Sequence, residues 1–129
     1  MKAPPPTERQ VQRAILAMCG RVFPSALVHH SPNGAHLAGG DVARFKQMGA
    51  LLGDGLKKGF PDLIVTWNHG VAFLEVKRPK LGKVSPEQEA IHATLREQGH
   101  RIAVVTSAEE AQAHMLDWGV PATGARWAA

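Results

Sequence analysis

The sequence contains little cysteine and lacks any long apolar run. Cys19 is the single cysteine among 129 residues, so no disulfide can form within the chain, which indicates a reducing compartment. No apolar stretch is long enough to span a bilayer, and the opening MKAPPPTERQ lacks the apolar segment of a signal peptide. We therefore expect a cytoplasmic protein without a membrane partner.

The sequence also lacks the ligand patterns of structural zinc. Only one thiolate is present, and no pair of histidines occurs at ligand spacing on a predicted helix. The segment HHSPNGAH groups His29, His30, Asn33 and His36, but their spacing is too tight for an HNH nuclease motif. We expect His29 and His30 to end a strand and Asn33-Gly34 to form a turn.

Composition is that of one globular domain spanning residues 1–129. Hydrophobic residues make up 44% and charged residues 20% of the chain, and this length suffices for one core but not two. Residues 1–6 are expected to be an extended lead-in, and residues 119–129 an irregular tail. Lys and Arg total 15 against 11 Asp and Glu, a net charge of +4 that suggests an anionic partner.

Helix signals recur along the chain. Capping boxes are predicted at Thr7-x-x-Gln10 and Ser85-Pro86-Glu87-Gln88, and a further cap at Ser107. The first helix is predicted to end at Gly20. A second helix is expected to be capped by Asp41 and to end at Gly53; its predicted inner face is Val42, Phe45, Met48 and Leu52.

Strand signals alternate with these helices. ALVHH and RIAVVT predict two strands, and the segment from Gly59 to Lys80 predicts a hairpin whose tip is Asn-His-Gly. The order of elements therefore predicts an α/β (α+β) fold with a mixed β-sheet flanked by helices.

Glu8 lies on the apolar face of the first predicted helix, seven positions before Ile15 and about two turns away. A carboxylate there can compensate the helix dipole while partly exposed, or it can point into a site. The helix alone favours dipole compensation.

Two acids and a lysine meet at one end of the predicted hairpin. Asp62 opens its first strand and Glu75-x-Lys77 closes the second, so alternation puts Glu75 and Lys77 on one face. Adjacent carboxylates repel unless a cation such as Mg²⁺ lies between them. A lysine beside such a site can orient a nucleophilic water or stabilise charge that develops on a phosphate. The alternative is that these residues are solvated strand ends joined by a salt bridge. That alternative explains any one of them well, but it explains the three together poorly.

Basic residues flank this cluster in sequence. Both predicted loops leave the sheet at the same end, which would align cations along a phosphate backbone. They comprise Lys57, Lys58, Arg78, Lys80 and Lys83. Any single one of them is equally explained as part of a solvated loop. No base-reading motif is present.

Pro61-Asp62 with Glu75-Val76-Lys77 resembles the signature of the PD-(D/E)XK nuclease superfamily. A longer pattern, from Glu8 to about Trp118, resembles its virus-type replication-repair nuclease (VRR-NUC) family. The matching segments are Gly59-Phe60-Pro61-Asp62-Leu63, Phe73-Leu74-Glu75-Val76-Lys77-Arg78-Pro79, Ser85-Pro86-Glu87-Gln88 and Gly99 with Val104-Val105-Thr106-Ser107-Ala108-Glu109-Glu110.

The resemblance implies a restriction-endonuclease-like core and a role for each matched residue. Asp62 and Glu75 would bind the metal with the carbonyl of Val76, and Lys77 would be the catalytic lysine. Gln88 matches the glutamine of the helix after the lysine strand. Glu8 matches an acid on the first helix of the family, which shifts its interpretation towards the metal. Asn33 would lie near the substrate.

The resemblance further implies a Mg²⁺- or Mn²⁺-dependent DNA endonuclease of phage or bacterial type. We expect a homodimer acting on branched DNA such as four-way (Holliday) junctions, in replication, repair or recombination. The expected interface lies in the region of Leu37 to Leu52 or in the tail around Trp127. Two alternatives stay open: a catalytically inactive nucleic-acid-binding module, and a nuclease subunit of a larger repair complex.

Overall fold

The computed structural model describes residues 3–31 and 39–128. Helices and strands alternate along these residues much as the sequence predicts. The helices are α1 (Glu8–Val22), α2 (Asp41–Gly53), α3 (Pro86–Glu97) and α4 (Ala108–Asp117). The strands are β1 (Leu27–His30), β2 (Leu63–Trp67), β3 (Gly70–Val76) and β4 (Arg101–Val105). No helix in these two ranges is long and apolar enough to cross a membrane.

The strands form one mixed sheet in the order β1-β2-β3-β4. β1 pairs antiparallel with β2, β2 pairs antiparallel with β3, and β3 pairs parallel with β4. Trp67 pairs with Gly70, so Asn68 and His69 form the predicted hairpin tip, and His69 has a φ of 70°. The antiparallel hairpin and the parallel β3–β4 pair, which needs the α3 crossover, together confirm the predicted mixed sheet.

Two apolar clusters cover the two faces of the sheet. Alternation on the strands directs Leu63, Val65, Leu74 and Val76 towards α1 and α4, where the larger cluster lies. The intervening residue Phe73 faces α3 and packs in the smaller cluster with Leu95 and Ile102. Each face is thus closed by amphipathic helices, and the carboxyl end of β3 emerges between the two layers.

The first helix begins as predicted and ends later. The Thr7–Gln10 capping box is present, with both reciprocal hydrogen bonds. The predicted end at Gly20 is wrong, because α1 continues to Val22. Val22 is fully buried, and packing of that last turn outweighs the cost of about 1 kcal/mol for a glycine within a helix.

The predicted inner face of α2 is wrong. None of its residues is buried: Val42 is 71% and Phe45 80% exposed. Its N-cap is Gly40 rather than Asp41, which lies in the first turn and pairs with Arg44 at 2.7 Å. Apolar periodicity locates the helix correctly, but it does not specify what covers that face, and both faces of the sheet are already covered by other helices.

Residues 119–128 of the tail lie in no helix or strand, but they pack on the domain. Val120 is buried, the Thr123 N–H donates to the Val22 carbonyl at 2.8 Å, and Trp127 packs against the larger cluster. The Trp127 N–H donates to Gln112 Oε1 at 2.7 Å. The tail therefore packs as part of this chain's own core.

The single thiol is enclosed in the larger cluster. Cys19 Sγ–H donates to Met115 Sδ at 3.7 Å, between α1 and α4. Burial raises the pKa of Cys19 to about 12. The thiol therefore stays protonated and packs as a small apolar group.

Candidate active site

The hairpin brings Asp62 and Glu75 together at one end of the sheet. Leu63 pairs with Leu74, so the residues one step outward, Asp62 and Glu75, lie across from each other. Asp62 is 2% exposed and Glu75 is fully buried. Asp62 Oδ2 accepts a 2.8 Å hydrogen bond from the N–H of Val76, which fixes that carboxylate against the end of β3.

Lys77 lies beside this pair. Its Nζ is 3.8 Å from Glu75 Oε2, and its side chain is largely buried. Its backbone N–H donates to the Val105 carbonyl at 3.0 Å, which continues the ladder past the end of β3. The hairpin therefore unites the three predicted residues in one buried cluster.

Helix α3 contacts Glu75 from the other side. Gln88 Oε1 accepts from the Ser85 N–H at 2.9 Å in the capping box, and Gln88 Nε2 donates to Glu75 Oε2 at 3.2 Å. One side chain thus caps the helix and orients the acid. The glycine at Gly59, with a φ of 91°, allows the loop before Asp62 to approach the start of α3, because a Cβ there would lie 2.6 Å from the Glu87 carbonyl carbon.

His92 also contacts the acid, and the sequence analysis missed it. His92 Nε2 lies 3.2 Å from Glu75 Oε1, and the side chain is 3% exposed. Of its apolar neighbours on α3, Leu95 is buried, whereas Ile91 is only half-buried. The available signal was spacing: His92 follows Gln88 by four residues, which places both on one helix face.

Burial and like charge dominate the electrostatics of the cluster. Desolvation, followed by the hydrogen bond and the charge of Asp62, raises the pKa of Glu75 to about 9, against partial compensation by Lys77. Desolvation and the positive charges of Arg96 and Lys77 lower the pKa of His92. Near neutral pH, the raised pKa favours a protonated Glu75 in the metal-free site.

Glu8 lies within electrostatic reach of the same cluster. Burial first, and then the Asp62 carboxylate, raise the pKa of Glu8, while Lys77 opposes that shift. The first turn of α1 thus carries its acid near Asp62 and Lys77. The apolar-face position inferred from sequence is consistent with this placement.

The donors present suit a small hard cation. Asp62, Glu75 and the carbonyl of Val76 are oxygen donors at one end of the sheet, and Mg²⁺ prefers one or two carboxylates plus water and phosphate oxygens. Within residues 3–31 and 39–128, no group of three or more His, Cys, Asp or Glu side chains is placed to hold a metal ion. An open, two-carboxylate site fits a metal that shares its ligands with a substrate.

The predicted basic residues lie on the loops before β2 and after β3. Lys57, Lys58, Lys80 and Lys83 are exposed, and Arg78 is half-buried. Lys58 Nζ is 3.8 Å from Glu87 Oε1, and Arg78 Nε donates to the Pro6 carbonyl at 3.2 Å. Asn33 lies outside the described residues.

The family model described as the VRR-NUC domain matches residues 34–109. The chain belongs to the VRR-NUC family. It is thus a member of a nuclease family, and the predicted membership is confirmed.

A solved structure described as a VRR_NUC domain protein has the same fold. The similarity covers 92% of this chain and 90% of that chain, with a TM-score of 0.63 and 22% sequence identity. The likeness confirms the predicted mixed α/β architecture, consistent with a restriction-endonuclease-like core. No curated protein matches the sequence.

Proposed function

We propose that this VRR-NUC chain is a metal-dependent, structure-selective DNA endonuclease that hydrolyses phosphodiester bonds. The observation that supports this most directly is the buried cluster of Asp62, Glu75 and Lys77 at the end of the β2–β3 hairpin. Burying two acids side by side is unfavourable for stability alone. A site that pairs them with a lysine in a nuclease family is suited to phosphate chemistry.

The proposed mechanism assigns a task to each side chain. Asp62, Glu75 and the Val76 carbonyl would hold Mg²⁺ or Mn²⁺, which when bound supplies Lewis acidity to the phosphate. Lys77, a cation beside Glu75, aims the attacking water and stabilises the negative charge that develops as the water loses its proton to solvent. The water oxygen bonds to phosphorus as the bond to the 3′-oxygen breaks, leaving a 5′-phosphate and a 3′-hydroxyl.

Three further residues would support this chemistry without attacking the phosphate. Gln88 and His92 hold the two oxygens of Glu75 from α3, at 3.2 Å each. This leaves Glu75 little freedom to rotate, so its orientation towards a cation is fixed in advance. Glu8, near Asp62 and Lys77, would act on the metal directly or through bound water.

Duplex contact is assigned to the loops before β2 and after β3. The cations involved are Lys57, Lys58, Arg78, Lys80 and Lys83, and we propose that Asn33 contributes from the segment after β1. Phosphate contacts position a substrate without reading its sequence. Recognition would therefore depend on DNA shape.

A homodimer acting on branched DNA would use two such sites at a fixed separation. Of the two predicted interface regions, α2 is the better candidate, because its apolar face is exposed whereas Trp127 packs on the core. Light scattering at micromolar concentration should give twice the mass of the chain. Phe45→Glu should yield monomers, and a wild-type monomer would remove the geometric basis of the branched-DNA proposal.

A cleavage panel tests the activity and its substrate. Four-way junction, flap, splayed arm and linear duplex are incubated with Mg²⁺, Mn²⁺ or EDTA, with Asp62→Asn as the control for contaminating nuclease. We expect metal-dependent cleavage that is fastest on the junction. Equal rates on linear duplex would overturn structure selectivity, and binding without cleavage in any metal would favour an inactive module or a subunit that needs its complex.

A further inference from the structure

An open groove of about 470 Å³ runs between α1 and the edge strand β1. It is lined by Arg9, Gln12, Arg13, Leu16 and His30. None of these residues belongs to the cluster described above or to the cationic loops. The groove lies on the α1 side of the sheet, since His30 pairs with Leu63, whose side chain faces α1.

The groove is positively charged. Arg9 and Arg13 are exposed and four residues apart on α1, so they lie on one face about 6 Å apart along the helix axis. Within the part of the chain that the structure describes, neither arginine forms an ion pair with an acidic side chain. Their guanidinium groups are therefore available to an anionic ligand.

A hydrogen bond joins the two walls of the groove. Gln12 Nε2 lies 3.1 Å from His30 Nδ1. The amide nitrogen donates, so His30 Nδ1 accepts and the other ring nitrogen, Nε2, is the one that can donate. His30 therefore adds a hydrogen-bond donor to the two cations, a combination suited to phosphate oxygens.

Both walls are continuous with the active site. On α1, Arg9 directly follows Glu8, whose carboxyl group is influenced by Asp62 and Lys77. On β1, His30 pairs with Leu63, and the next residue, Ser31, donates its N–H to the Asp62 carbonyl at 2.8 Å. The groove therefore begins beside residues that contact the active site.

We propose that this groove is a second phosphate-binding subsite, which holds the backbone of a DNA strand on the α1 side, in addition to the cations of the loops before β2 and after β3. Arg9 and Arg13 each neutralise one phosphate. The proposal rests on the proposed action on DNA and adds where the substrate runs. It places the scissile phosphate between two cationic surfaces.

The test is the affinity of labelled four-way junction DNA, measured by fluorescence anisotropy in EDTA across a salt series. The double variant Arg9→Gln/Arg13→Gln should bind at least tenfold more weakly at about 0.15 M salt. Its slope of log K against log salt should fall by about 2, because each lost phosphate contact removes roughly one unit. Arg13→Gln alone should show about half of the change in slope.

The matched control is Arg21→Gln/Arg101→Gln, which removes the same charge. Arg21 lies in the last turn of α1 and Arg101 at the far end of β4, both away from the groove. The control should bind like wild type. Equal affinities and slopes for the two double variants would overturn the subsite. Absence of cleavage by wild type would instead count against the proposed function, since binding is measured without metal.

Discussion

Replacing Glu75 with Gln should make the metal-free protein less sensitive to rising pH. The carboxyl group of Glu75 has an ordinary pKa of 4.5, and burial beside Asp62 raises it to about 9. Between these two values, the folded state binds more protons than the unfolded state, so the free energy of unfolding falls as pH rises. This contribution is fully present below about pH 4.5 and is lost on the way to pH 9.

The size of the effect follows from the shift. Each pH unit within this range costs about 1.4 kcal/mol for one group, so the change from pH 7 to pH 8.5 costs wild type about 2 kcal/mol. For a domain of this size that corresponds to a fall in Tm on the order of 8 °C. Glu75→Gln removes the titrating group and retains the shape of the side chain. The variant should therefore keep these roughly 2 kcal/mol of unfolding free energy between pH 7 and pH 8.5, within about 0.5 kcal/mol.

Other groups with shifted pKa values titrate outside this window. The lowered pKa of His92 has the opposite sign, and its stabilising effect increases only as pH rises towards its ordinary value of 6.5. The raised pKa of Cys19 lowers stability only towards pH 9 and above. Between pH 7 and pH 8.5, neither group contributes much to the pH dependence, so the difference between the two proteins reports on Glu75.

The assay is urea unfolding in EDTA at pH 7 and pH 8.5, for wild type and Glu75→Gln. We expect the two proteins to diverge by about 2 kcal/mol, with the variant the more stable at high pH. Addition of Mg²⁺ or Mn²⁺ should then stabilise wild type, more at pH 8.5 than at pH 7, and leave the variant unchanged. If the free energy of unfolding falls equally in the two proteins, within about 0.5 kcal/mol, a buried proton on Glu75 is refuted.

The remaining predictions concern single side chains of the cluster. Asp62→Asn should abolish cleavage in Mg²⁺ without lowering Tm, and a near wild-type rate would refute its assignment as a metal ligand. Lys77→Ala should lose single-turnover rate while DNA affinity is retained; a variant that melts early but cleaves normally would show a structural ion pair instead. His92→Leu should weaken Mn²⁺ binding by 10- to 100-fold in calorimetry, whereas His92→Gln, which keeps a donor, should recover much of it. Equal Mn²⁺ affinity in His92→Leu and wild type would show that His92 does not position Glu75.

Local signals in the sequence predicted most of this fold. The capping boxes at Thr7 and Ser85 and the hairpin tip specify their elements through contacts between near neighbours. Asp62 and Glu75 could be paired because a hairpin register follows from the length of its turn. These features can be predicted from near neighbours in the sequence, without knowing the tertiary packing.

Features set by tertiary packing were harder to predict. The apolar residues Val42 and Phe45 indicate a buried face of α2, but no local pattern reveals that the sheet is already covered on both sides. His92 looked like one polar residue among apolar ones. Its role depends on Glu75, which is seventeen positions away and reaches it only after the parallel β3–β4 crossover forms.

Because Cys19 is enclosed, chemical labelling of its thiol reports when the fold opens. A thiol with a pKa of about 12, held against Met115 between two helices, offers almost no thiolate to an alkylating reagent while the fold is intact. Because the chain has no second cysteine, each covalent label counts one molecule in which α1 and α4 have separated. Labelling followed by mass spectrometry would therefore measure the rate of that separation in wild type without any engineered probe.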